Sequence, residues 1–333
     1  MKRHKICKII LAILAVFLCV AFYELIGICI TYKKQPAVSD ATIKETQNIM
    51  SVAGRENTER AVIIEKNSQA LLERVRLIQN AKDEIILSTF AFKSDESGKL
   101  ILGALHDAAD RGVHVRILVD GMESWIDMEG NPYFYGLSSH ENVEIKLYNK
   151  ANPLKPWKTM GRMHDKYLIA DGKIYILGGR NTYNYFLGDF PGHKNFDRDV
   201  LVVCDEPQKD NSVNQLWNYF ETIWEQEDCR YFHNSKKLAD RQSVKKAVLE
   251  LQEGYQQYFE VNKEKICDTD YADETFETEK ITLLSNPIHT QAKEPVVWYQ
   301  LGELMKNAKE RVKIHTPYII CNDMMYNTWE EIA

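Results

Sequence analysis

No C-x-x-C pair occurs among the seven cysteines, so the spacing that structural zinc sites use is missing. Cys7, Cys19 and Cys29 lie in or beside one apolar run, and Cys204, Cys229, Cys267 and Cys321 are scattered. With 16 glycines and nine prolines the chain is too poor in both for a low-complexity protein. No segment repeats at a 20–50-residue period, which excludes a solenoid. Basic residues are not in excess: 42 Lys and Arg stand against 48 Asp and Glu, a net charge of −6. Long apolar runs are limited to one, so a polytopic membrane protein is excluded. What remains is 333 residues of globular composition, 44% hydrophobic and 27% charged, enough for two domains.

The one apolar run spans 9–30, IILAILAVFLCVAFYELIGICI, with Glu24 as its sole charge. About 20 apolar residues cross a bilayer core, so the expectation is an uncleaved single-pass anchor. A secretory signal is the competing reading, but the run is long for one and no A-x-A site follows. Lys2, Arg3, Lys5 and Lys8 precede the run, against Lys33 and Lys34 after it. That bias predicts an N-terminus inside and a globular body outside the cell membrane. Six of the basic residues and one acidic residue lie in 1–34, leaving the remainder at net −11. Such a body lacks the electrostatic footprint of a non-specific nucleic-acid binder, and no nucleic-acid partner is expected.

The body reads as alternating strands and helices. Residues 35–60 are polar and read as a linker. Apolar positions at 71, 72, 75, 78 and 81 predict a helix over 67–81. EIILSTFAF (84–92) predicts a buried strand, and 97–112 a helix with Ser97 as N-cap and Gly112 as stop. VHVRILVDG (113–121) and VEIKLYN (143–149) predict strands. The strand–helix–strand order implies an α/β fold with a mixed, mostly parallel sheet flanked by helices. MHDKYLIADGKIYILGG (163–179) predicts a hairpin turning at Asp171-Gly172. A strand is expected over 196–204 and a helix over 211–226. Residues 236–279 read as a connector. The pattern then restarts, with strands at 280–285 and 311–320 around a helix at 296–310. NAKDEIILSTF (80–90) and NAKERVKIHTPY (307–318) are alike enough to suggest a duplication. The expected organisation is therefore an anchor (1–34), a linker (35–60), a first domain (61–235), a connector (236–279) and the start of a second domain (280–333).

The chemistry concentrates in His164-Asp165-Lys166 and, further on, Asp171 and Gly178-Gly179-Arg180-Asn181. Residues two apart on a strand share a face, so His164 and Lys166 are expected to point together. An imidazole can attack phosphorus and form a phosphohistidine. A lysine ammonium and an asparagine amide can hold the phosphoryl oxygens, so no metal or cofactor is called for. Gly178 and Gly179 leave room for a ligand, and Arg180 arrives where it could join the same pocket. Asp197, or Asp199 two residues on, could orient His164 by accepting from its second nitrogen. Tyr183, Tyr185 and Phe186 read as core packing rather than an acyl-chain entrance.

The spacing resembles the phospholipase D superfamily signature, H-x-K-x(4)-D-x(6)-G-G/S-x-N. His164, Lys166, Asp171, Gly178, Gly179 and Asn181 match every position. AADRGVHVRILVDG (108–121), RMHDK (162–166) and NFDRDVLV (195–202) look most like bacterial cardiolipin synthases and related phosphatidyltransferases. The resemblance covers about 61–333. It implies a phospholipase D-like fold and a phospholipid substrate such as phosphatidylglycerol. It also implies attack by His164, with Asp171 supporting its loop rather than moving protons. The alternatives are a nuclease of the same superfamily or an inactive relative.

The superfamily mechanism uses two such motifs, and no second H-x-K occurs here. The second is expected from a missing C-terminal half or from a homodimer partner, unless the chain is degenerate. The fragment reading is preferred, because one helix and two strands cannot bury a core of their own.

Overall fold

The computed structural model describes residues 2–51, 58–316 and 318–332. These fall into two units. The described residues of 56–152 and 162–281 make up the larger one, and those of 1–55, 153–161 and 282–333 the other.

In the smaller unit, helix α1 (Lys2–Tyr32) carries the apolar run. Its stretch His4–Tyr32 has a mean hydropathy of 2.8 and none of it is buried. That length and composition fit a membrane anchor. Helix α2 (Asp40–Ser51) occupies much of the expected linker, while 52–57 lies outside the described residues.

The larger unit is built on a nine-stranded sheet. Its elements run β1 (Arg60–Ile64), α3 (Asn67–Asn80), β2 (Glu84–Thr89), α4 (Glu96–Asp110) and β3 (His114–Asp120). Then come α5 (Glu123–Asp127), α6 (Pro132–Ser138), β4 (Val143–Tyr148), β5 (Tyr167–Ala170) and β6 (Ile174–Gly178). They end with β7 (Asp199–Val203), α7 (Ser212–Trp224), β8 (Cys229–Tyr231), α8 (Gln242–Cys267) and β9 (Phe276–Glu277). The strand order is β8-β4-β3-β2-β5-β6-β7-β1-β9.

The sheet is mixed, as expected, but not mostly parallel. Only β2–β3 and β3–β4 run parallel; α4 makes the crossover in the first pair, and α5 with α6 in the second. The tight β5–β6 hairpin forces an antiparallel pair, and β7 and β1 extend that pattern. At the hairpin, Asp171 and Gly172 have φ of 52° and 61°. Two successive positive φ values are what a two-residue turn matched to strand twist requires.

Alternation along the strands sends side chains to two cores. Ile85, Leu87, Val115, Ile117, Leu168, Ile176 and Leu201 join one cluster with α3, α4, α6 and α8. The opposite face carries Arg116, whose guanidinium lies 4.8 Å from the Phe220 ring of α7. Phe220 and Leu216 of α7 are fully buried there. Each such aliphatic or aromatic side chain contributes about 1.5–3 kcal/mol on burial.

Three expectations need correcting. The helix at 96–110 is capped by Asp95, whose Oδ1 accepts from Gly98 N at 3.1 Å, and not by Ser97. A carboxylate outcompetes a hydroxyl there because it also meets the positive end of the helix dipole. The segment 236–279 is no loose connector. Its helix α8 buries Val244, Ala247, Leu251 and Tyr255, and the Gly103 Cα lies so close to Leu251 O that a Cβ would stand 2.6 Å from it. Finally, 280–285 and the described part of 311–320 are not strands, and Pro317 lies outside the described residues. Among the described residues they find no partner strand, and an unpaired strand leaves its backbone groups without a ladder. Helices α9 (Val296–Lys306) and α10 (Asp323–Ile332) do form, and meet through Trp298 and Trp329 at 5.5 Å.

Candidate active site

The register fixes where the motif residues meet. Ile64 pairs with Asp199, Asp199 with Gly178, Leu177 with Tyr167, Tyr167 with Ser88, and Thr89 with Val119. The ends of β1, β2, β3 and β6 and the starts of β5 and β7 therefore lie along one edge of the sheet. His164 and Lys166 immediately precede β5 at this edge, and Gly178–Asn181 leave β6 there.

His164 is exposed and Lys166 is buried. Both lie against Phe90: the His164 ring centroid is 4.7 Å from that of Phe90, and the Lys166 ammonium is 5.5 Å from it. Among the described residues the His164 ring makes no hydrogen bond. Its pKa is held below the ordinary 6.5, first by partial desolvation and then by the nearby Lys166 charge. The imidazole is thus neutral, and nucleophilic, at pH 7. Lys166 Nζ donates to the His164 carbonyl at 2.7 Å, its one hydrogen bond among the described residues. Burial lowers its pKa to about 8, although Asp165 and Asp197 pull the other way. A buried ammonium without a paired carboxylate is costly, and an incoming phosphate anion would relieve that cost.

Asn181 is buried, and its Oδ1 accepts from Ala91 N at 3.2 Å. That contact leaves the amide nitrogen as a donor with no partner among the described residues. The loop before His164 is pinned by Asp120 at the end of β3. Its Oδ2 accepts from Met163 N at 3.1 Å, and its Oδ1 from Met122 N at 2.9 Å. Arg162 Nη1 lies 3.3 Å from the same carboxylate. Sequence reasoning did not single out Asp120 or Phe90. Both stand at the ends of predicted strands, which is the one signal that could have pointed to them.

Other expected site residues serve the fold. Asp171 sits at the hairpin turn, away from the edge that holds His164. Its Oδ1 accepts from Asp83 N at 2.8 Å and Glu84 N at 3.0 Å, and its Oδ2 from Lys82 N at 2.9 Å. It closes the α3–β2 turn. Arg180 is held by groups of the chain itself. It is 1% exposed and donates to Asn67 Oδ1, Ile64 O, Glu65 O and the Asp197 carbonyl. Asp199 does not orient His164. Its Oδ2 is held by Arg74 at 2.9 Å and Arg180 at 3.3 Å, with both carboxylate and arginines buried.

Among the described residues no hydrogen bond joins Asp197 to His164. It precedes β7, while Asp199 opens that strand. Its Oδ1 takes the Arg198 N–H at 2.7 Å. The glycines follow from these two carboxylates. A Cβ on Gly178 would lie 2.0 Å from Asp199 Oδ1, and one on Gly179 2.0 Å from Asp197 Oδ2. They make room for the chain's own acids. Tyr183, Tyr185 and Phe186 pack ring on ring, with Phe186 buried in the core.

The assembled site offers a neutral imidazole, a buried ammonium and an amide donor. That set suits attack on a phosphodiester whose oxygens are held as charge builds. Parts of the chain are similar to known proteins. Residues 75–224, which contain every motif residue, match the family described as cardiolipin synthase, phospholipase D-like domain. An uncharacterized protein of Helicobacter pylori is 27% identical over 292 residues, covering 79% of this chain and 55% of that one. Cardiolipin synthase C of Escherichia coli is 29% identical over 154 residues, covering 42% of this chain and 31% of that one. Among solved structures, NucT from Helicobacter pylori aligns with a TM-score of 0.41 at 18% identity, over 52% of this chain and 99% of that one. The chain spans about half the length, or less, of the curated relatives named here. Residues 75–224 of this chain are a phospholipase D-like domain.

Proposed function

We propose that the protein is a membrane-anchored phosphatidyltransferase of the cardiolipin synthase type. The observation that carries this reading is the pairing of an exposed, hydrogen-bond-free His164 imidazole with the buried Lys166 ammonium. An imidazole nitrogen of His164 attacks the phosphorus of a phosphatidylglycerol-like lipid, and the P–O bond to the leaving alcohol breaks. Lys166 and the Asn181 amide hold the non-bridging oxygens. A second imidazole gives the leaving oxygen its proton. It then takes the proton of an incoming lipid alcohol, whose oxygen attacks phosphorus as the P–N bond breaks. Residues 1–333 contain one H-x-K, so the second imidazole comes from a second motif outside them, in a further half or a second copy. Helix α1 serves as the anchor, with the body outside, and raises the effective concentration of lipid at the site.

The test is turnover by the anchored protein in vesicles of phosphatidylglycerol, read by mass spectrometry. Cardiolipin that disappears with His164→Asn supports the reading. Cleavage of DNA with no lipid product would replace it with the nuclease reading, and no turnover of either would favour an inactive relative.

A further inference from the structure

The loops that carry the candidate site also carry exposed apolar side chains. Helix α5 follows β3, His164 precedes β5 and Phe196 precedes β7. In the strand order β3-β2-β5-β6-β7 these places lie along one edge of the sheet, with His164 between the other two. Trp125 and Ile126 on α5 are 63% and 67% exposed, and Phe196 is 78% exposed. The opposite edge differs. Among the described residues, its turns at 81–83, 111–113, 171–173 and 204–211 contribute no exposed large apolar side chain. They present Lys82, Asp83, Arg111 and Lys173 instead. Apolar residues scattered singly over a surface need no explanation, but an adjacent pair and an aromatic gathered at one end do.

The fold holds both segments in place. Ser124 on α5 and Met128, its C-cap, stand one turn apart and are buried, which turns Trp125 and Ile126 outward. Asp120 ties the start of α5 to the motif loop. Its Oδ1 accepts from Met122 N and its Oδ2 from Met163 N, the residue before His164. At the far end of the helix, Asp127 Oδ2 lies 3.8 Å from Lys93 Nζ. Lys93 N in turn donates to Thr182 O, beside Asn181. Phe196 follows Asn195, whose N–H donates to Tyr185 O and whose carbonyl accepts from Asn67 Nδ2. The apolar groups therefore stand at fixed places on either side of the motif loop.

We propose that Trp125, Ile126 and Phe196 form a docking rim that seats the catalytic edge on the surface of a lipid bilayer. This goes beyond the reading above and rests on its membrane anchor. Helix α1 fits a bilayer span, and residues 33–59 join it to β1, so the larger unit is tethered to the surface that α1 occupies. Tryptophan concentrates at membrane–water interfaces, where one end of the indole is wet and the other apolar. Apolar side chains beside it gain by entering the boundary between headgroups and acyl chains. Groups of this kind on either side of the motif bring a headgroup phosphate to His164 and Lys166 without the lipid leaving its bilayer.

The experiment reconstitutes the full chain in vesicles of phosphatidylcholine and phosphatidylglycerol. For the first readout the phosphatidylcholine carries bromine near the headgroup end of its acyl chains, and no turnover is needed. The chain has six tryptophans, so the emission that Trp125→Phe removes reports Trp125. That emission is expected to be blue-shifted and quenched by the brominated lipid. Unquenched emission like that of tryptophan in water would overturn the proposal. So would a dimer that Trp125→Ser dissociates, with no quenching, which would give the rim to a second copy of the chain. The second readout is release of glycerol from phosphatidylglycerol. The double substitution Trp125→Ser, Ile126→Ser should lower kcat/KM on vesicles by about 10-fold, as expected for losing roughly one such side chain's burial. On short-chain phosphatidylglycerol dissolved as monomers it should match the wild type. Phe196→Ser should show a smaller loss of the same kind. Phe276→Ser, which removes an exposed apolar residue on β9 away from the rim, should show none. Equal losses on vesicles and monomers in the double variant would overturn the proposal. A wild type that turns over neither substrate would sink the functional reading alone, leaving the quenching to decide the rim. A chain that does not float with the vesicles would sink the anchor and the rim together.

Discussion

The stretch Gly178–Asn181 serves two charge clusters that are built on opposite principles. On one side Arg180 enters a sealed group with Arg74 and Asp199, in which all three side chains are buried and paired. On the other, Asn181 stands with His164 and Lys166, where the imidazole is exposed and the buried ammonium hydrogen-bonds, among the described residues, to a backbone carbonyl alone. The sealed cluster spends its charges on holding β7, α3 and the β1–α3 loop together. In the open one neither His164 nor Lys166 hydrogen-bonds to a side chain among the described residues. The difference teaches that burial of a charged motif residue does not by itself mark it as structural or functional. What decides is whether its partners are internal.

Substitutions should break the two clusters in opposite ways. The largest expected effect is His164→Asn, which should lower turnover by at least about 10³-fold while leaving the melting temperature close to wild type. Next, Lys166→Met should cost about 10²–10³-fold in kcat/KM. It should also raise stability by about 1 kcal/mol, since it removes a buried charge that no carboxylate pairs directly. Asp199→Asn should do the reverse to the fold, costing about 3–5 kcal/mol in denaturant unfolding by leaving two buried arginines short of a partner. A stable Asp199→Asn, or a destabilised Lys166→Met, would erase the distinction.

The open cluster should also control the pH dependence. His164 must be neutral to attack, so kcat/KM should fall as pH drops through its pKa, which lies below 6.5. Lys166 must be charged to hold the phosphate, so kcat/KM should fall again as pH rises through about 8. The smallest effect should be Asp197→Asn. It should leave the acid limb in place, move the alkaline limb down, and change the pH-optimal rate by about threefold at most.

Much of this was legible in the sequence where the signal is local. The H-x-K spacing, the Asp171-Gly172 turn and the two parallel units all follow from residues close together in the chain. The role of Arg180 was not legible, because it depends on carbonyls at Ile64 and Glu65 that fold back from far upstream. Strand β1 escaped notice for a related reason, since five residues beside a polar stretch become a strand only by pairing with β7. The likeness of 80–90 to 307–318 makes the same point. NAKDEIILSTF forms β2 between two partner strands, whereas the described residues of NAKERVKIHTPY form no strand. Pattern alone does not supply the ladder that a strand needs.

The account turns on His164 as the nucleophile, and one measurement addresses it most directly. Anchored protein would be mixed with phosphatidylglycerol vesicles, quenched in alkali, where phosphohistidine survives, and analysed by intact and peptide mass spectrometry. The account predicts a phosphorus adduct on His164 in the wild type and none in His164→Asn. Lipid turnover with no adduct on His164, or with the adduct on another residue, would contradict it.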